Sequence, residues 1–135
     1  MTHNELAARI ERAEGPDRAL DAEIAVAVYG GEIVWKMTNY TMESYPARRY
    51  ASAQHVGGYG NDHVPEYTAS IDAAMQLVPS GWKLRQMHFN APCADDRKWH
   101  LNLRGGKEGG DRFVGRGSTP ALALSAAALR ARSAS

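Results

Sequence analysis

Two stretches of this chain alternate polar and apolar side chains with a period of two, and a glycine-rich turn follows the second. In WKLRQMHFN (82–90) the alternation sets Trp82, Leu84 and Gln86 on one face and Lys83, Arg85 and Met87 on the other. In KWHLNLR (98–104) it sends Trp99, Leu101 and Leu103 one way and Lys98, His100, Asn102 and Arg104 the other. Only a pleated strand separates side chains in this way. GGKEGG (105–110) then supplies turn chemistry for a hairpin into a short strand at Arg112 to Gly115. Antiparallel sheet is therefore the frame on which the rest must pack.

Helical segments flank that frame. Thr2 and Glu5 have the capping-box spacing, and Leu6 and Ile10 share a face with Glu5, Arg9, Glu11 and Arg12 placed elsewhere. Gly15-Pro16 ends this helix; Asp17 then precedes a second one in which Leu20, Ile24 and Val28 recur every four residues, ended by Gly30-Gly31. Glu32 opens a strand, IVWKMT. The stretch from Asn39 to Glu66 is irregular and Tyr-rich, with Pro46, Pro65 and GGYG (57–60), and YASAQHV within it reads as a further strand. Ser70 caps a helix carrying Ile71, Ala74, Met75 and Val78, which Pro79-Ser80-Gly81 ends. Thr119 and Pro120 open the last helix, with Leu122, Ala126 and Leu129 on one face and a short tail from about 131 to 135.

The order is α-α-β-(β)-α-β-β-β-α, an α+β fold whose mainly antiparallel sheet packs helices on at least one face. At 135 residues the expectation is a single domain over 1–135, with Leu20, Ile24, Ile71, Met75, Trp82, Leu84, Trp99, Leu101, Leu122 and Leu129 in its core. One cysteine excludes an internal disulfide framework. The polar N-terminus and the lack of a long apolar run set the expectation of a cytoplasmic protein with no membrane association.

Three segments, LAARIERAEGPDRALDAEIA, YTASIDAAMQLVPSGW and GSTPALALSAAALRAR, occur in an order that resembles the phage ABA sandwich domain family. The likeness spans most of the chain apart from the Tyr-rich middle. It implies helices on both faces of the sheet, an α/β/α sandwich, and a phage or prophage protein acting in the cytoplasm of a bacterial host cell. The family brings no assigned activity, so no site residue carries over.

Residues that could carry chemistry each have a plain structural reading. Cys93, with His88, Asp95, Asp96 and His100 nearby, offers a nucleophile or metal set in one hairpin, yet matches no nucleophile signature or tight zinc spacing. His55, Asp62 and His63 form a second scattered set. GGYGND, GGKEGG and GRGST lack the strand and Lys-Ser/Thr context of a phosphate cradle, and no cofactor is expected. Gly115, Gly117, Ser118, Ala126 and Ala127 look like the close of a double-stranded-RNA-binding domain, but TPALAL stands where that family places its lysines.

What remains is an uneven charge distribution beneath a net charge of +1. Residues 1–33 hold seven acids against three arginines, and residues 83–132 hold ten Lys/Arg against four acids. Lys83, Arg85, Lys98, His100 and Arg104 fall on one predicted sheet surface, and Arg48-Arg49-Tyr50 lies in an aromatic-rich segment suited to stacking and backbone contacts. The leading expectation is a non-enzymatic phage or prophage interaction module with a phage or host protein as partner, because Tyr-rich segments favour interfaces. The alternative is a nucleic-acid-binding module using the basic strand face. A small enzyme or metal site around the Cys93 hairpin comes third.

Overall fold

The computed structural model describes residues 2–30, 32–37, 49–54, 64–90, 97–105 and 110–134, with the backbone alone described for 32–37 and 49–54. The elements are α1 (His3–Arg12), α2 (Arg18–Tyr29), β1 (Glu32–Met37), β2 (Arg49–Gln54), α3 (Ile71–Met75), β3 (Lys83–Phe89), β4 (Trp99–Gly105), β5 (Asp111–Gly117) and α4 (Pro120–Ala134). The chain is α+β, with antiparallel sheet packed against helices in the expected order. It forms two compact units, one of 1–17 with 66–135 and one of 18–65.

In the smaller unit, β1 and β2 pair antiparallel from Glu32–Gln54 to Met37–Arg49 beside α2. α2 ends where Gly30 takes a positive φ of 76° and its amide donates to the Val26 carbonyl. Asp21, on its first turn, is buried and paired with Arg18 at 2.9 Å. Arg18 also donates to the carbonyls of Val64 (2.7 Å) and Pro65 (3.3 Å), pinning the chain that returns from β2.

The larger unit is built on a β3-β4-β5 antiparallel sheet with α4 across one face. The expected caps are present: Thr2 Oγ1 accepts from the Glu5 amide, Ser70 Oγ from Ala73 and Thr119 Oγ1 from Leu122. α4 was expected to bury one stripe, but every residue from Ala121 to Leu129 is buried. Its small side chains allow this. Sheet packs on one side and α1 and α3 on others, so a helix apolar nearly all round is a central element here. Its one polar residue in that stretch, Ser125, donates to the Tyr67 carbonyl at 3.0 Å. Residues 131–134, expected as tail, continue the helix; Ala131 is buried and Arg132 Nε donates to the Leu77 carbonyl at 2.6 Å.

Gly115 and Gly117 set how closely α4 lies on the sheet. A Cβ on Gly115 would overlap the Ala123 carbonyl oxygen, and one on Gly117 would lie 2.8 Å from the Ala123 nitrogen. The glycine pattern that resembles an RNA-binding domain thus serves packing in this fold. Of the expected core, Leu20, Ile24, Trp82, Leu101, Leu122 and Leu129 are buried, and Ile71, Leu84 and Trp99 are half-buried. Met75 is 42% exposed; α3 ends there, and Leu77 takes the interior position in the turn that follows.

Candidate nucleic-acid interface

Alternation alone misassigns the second half of β3. Its register to β4 shifts between Leu84 and Gln86, so Leu84 opposes Leu103 while Gln86 opposes Asn102. Arg85 is the extra residue of a β-bulge. Beyond it the faces exchange relative to the simple count: Gln86 and His88 join Lys83, whereas Met87 and Phe89 join Leu84 on the α4 side. The bulge is therefore what completes a continuous polar surface.

That surface has three rows across three strands. Lys83, Arg104 and Arg112 are successive register partners, as are Gln86, Asn102 and Val114, and His88, His100 and Arg116. The first and third rows lie about 13 Å apart, four residues of extended chain. Lys83, Arg85, Gln86, His88, Arg104, Arg112 and Arg116 are exposed, and His100 is half-buried. In the middle row Asn102 Nδ2 donates to Gln86 Oε1 at 2.8 Å, which holds two amides in a fixed orientation between the cationic rows.

The face is indented at two adjoining places. Lys83, Arg85, Gln86 and Arg104 line one depression, and His88, His100, Arg97, Arg112 and Arg116 line the other with Gln86 between them. Glu11 and Arg130 stand at the margin of the second. Glu11 was expected on the polar side of α1, yet it is 7% exposed. Its Oε2 accepts from the Arg116 amide at 2.8 Å, and Arg130 donates to both carboxylate oxygens at 2.6 and 2.7 Å and to the Val114 carbonyl at 3.0 Å. These bonds close the outer edge of β5. Burial opposes the Glu11 charge, but the bonds from Arg130 and the Arg116 amide, with the charges of Arg130 and Arg97, outweigh it and hold the carboxyl below its usual range. The same contact raises Arg130 above its ordinary value.

Of the expected site residues, Lys83, Arg85, His100 and Arg104 share this surface. Arg49 and Tyr50 open β2, in register with Met37 and Lys36, within the other unit. Arg48 lies outside the described residues. So do His55, Asp62 and His63, the GGYG run at 57–60, and Cys93, Asp95 and Asp96. The expectation missed His88, Arg97, Arg112 and Arg116. The bulge hides the first, and Arg112 and Arg116 are visible only as the alternate residues of a strand longer than the one expected. Among the described residues no three His, Cys, Asp or Glu side chains are placed to hold a metal, and no helix is long and apolar enough to cross a membrane.

Compared with known families, curated proteins and solved structures, the chain matches no family model, no curated protein and no solved structure. The geometry of the strand face is thus the basis for a functional reading.

Proposed function

We propose that this protein is a non-enzymatic interaction module that binds the phosphate backbone of a nucleic acid across the polar face of β3-β4-β5. The observation that carries the reading is the row of Lys83, Arg104 and Arg112, three exposed cations in register on adjacent strands, with Arg85 beside them. Phosphates contacted there release condensed counterions, so binding is strong at low salt and falls steeply as salt rises. The amide row supplies polar contacts to sugar or base edges, and the third row extends the positive surface.

Fluorescence anisotropy with short DNA and RNA oligonucleotides tests this. Binding at about 50 mM salt, weakening with a log-log slope of about −2 to −4.5 for three to five phosphate contacts, is the expected result. Absence of binding at low salt to both DNA and RNA overturns it.

A second reading rests on the opposite side of β3, where Met87 is 48% and Phe89 53% exposed beside Trp99. Exposed apolar side chains of this size favour a protein partner, from a phage or its host. Either reading is consistent with a phage or prophage accessory protein in a bacterial cytoplasm, the setting that the resemblance implies. Retention of a phage or host protein by the wild-type chain, lost on Phe89→Ser, supports the second reading; retention unaffected by that change removes it.

A further inference from the structure

We propose that the depression around His88 and His100 is a subsite for a phosphate monoester, so that the strand face takes the phosphorylated end of a nucleic-acid strand in preference to its interior. The inference rests on the nucleic-acid reading above and adds a specific ligand group to it.

The two imidazoles are direct cross-strand partners with ring centroids 5.1 Å apart. Arg97, Arg112 and Arg116 line the same depression. Glu11 at its margin leaves most of that positive charge in place, because its two carboxylate oxygens are engaged by the fork of Arg130 and by the Arg116 amide. Three guanidinium groups and two imidazoles thus line one space, together with the Gln86–Asn102 amide pair.

An internal phosphodiester carries one negative charge and offers two unesterified oxygens. A terminal monoester carries about −1.5 to −2 at neutral pH and offers three strong acceptor oxygens. The five nitrogen-bearing side chains match the second group better in both charge and donor number. The roughly 13 Å between the rows lets the end sit at the histidines while the chain behind it crosses the lysine-arginine row.

The test compares one oligonucleotide sequence carrying a 5′-phosphate, a 3′-phosphate or hydroxyl ends, by anisotropy at fixed salt. At least one phosphorylated end is expected to bind about tenfold more tightly than the hydroxyl form. His88→Gln, an exposed change that keeps hydrogen bonding but removes the imidazole, is expected to reduce that ratio to about two or less. Lys83→Ala is expected to weaken every form and keep the ratio. Millimolar inorganic phosphate, but not chloride at equal ionic strength, is expected to erase the preference by filling the subsite. Equal affinity for phosphorylated and hydroxyl ends, with binding intact, overturns the end site and leaves the backbone reading standing. A preference that survives both His88→Gln and His100→Gln in folded protein, or that phosphate leaves untouched, also overturns it. Loss of binding to all forms overturns the backbone reading itself.

Discussion

Glu11 and Arg130 meet through two parallel hydrogen bonds of 2.6 and 2.7 Å, joining the last turn of α1 to α4 across 119 positions of sequence. The pair also satisfies the Arg116 amide and the Val114 carbonyl, two backbone groups of the edge strand β5. It fixes the strand that carries Arg112 and Arg116, so it supports the candidate site without being the proposed contact surface.

Breaking that pair from one side leaves a buried group unsatisfied. Glu11→Ala is expected to cost about 2–4 kcal/mol in urea denaturation, since Glu11 is nearly buried while Arg130 keeps some solvent. In a double-mutant cycle, adding Arg130→Ala is expected to cost much less than it does alone. Additive losses contradict the pairing.

The Glu11 carboxyl is held below its usual range, which fixes the sign of a pH effect. A carboxyl with a lowered folded-state pKa adds stability above its unfolded value of about 4.3, and that stability is lost as pH falls through the folded value. Urea midpoints from pH 7 down into the acid range are expected to drop less steeply for Glu11→Gln than for wild type. Parallel curves contradict the assignment.

Gly115→Ala places a methyl group against the Ala123 carbonyl and 2.6 Å from the Ala127 nitrogen. Both are backbone atoms of α4, so relief requires the helix to move off the sheet. A loss of about 3 kcal/mol or more is expected by thermal or urea melting. Met75→Ala, at an exposed position, is expected to change stability by less than about 1 kcal/mol, against about 2–4 for Leu77→Ala. Equal effects at 75 and 77 would reverse the core assignment there.

Much of the fold is legible because caps and alternation act locally. Thr2, Ser70 and Thr119 mark their helices, and the pattern in KWHLNLR gives the correct faces of β4. The failures are nonlocal. A bulge at Arg85 leaves no mark in an alternating string, yet it decides that His88 joins the basic face and Met87 leaves it. Glu11 reads as a surface acid until the fold brings Arg130 to it, and α4 reads as one-sided until layers pack around it. The basic face itself was half visible, through Lys83, Arg85, His100 and Arg104. Its remainder depends on how β5 pairs with β4.

The most direct measurement is the salt dependence of oligonucleotide binding for wild type beside Lys83→Ala, Arg104→Ala and Arg112→Ala, all exposed positions where folding should survive. Each substitution is expected to weaken binding uniformly across sequences and to make the log-log slope shallower by about 0.7 to 0.9, one phosphate contact apiece. Slopes and affinities unchanged in all three variants would contradict the claim that this row of register partners holds the nucleic-acid backbone.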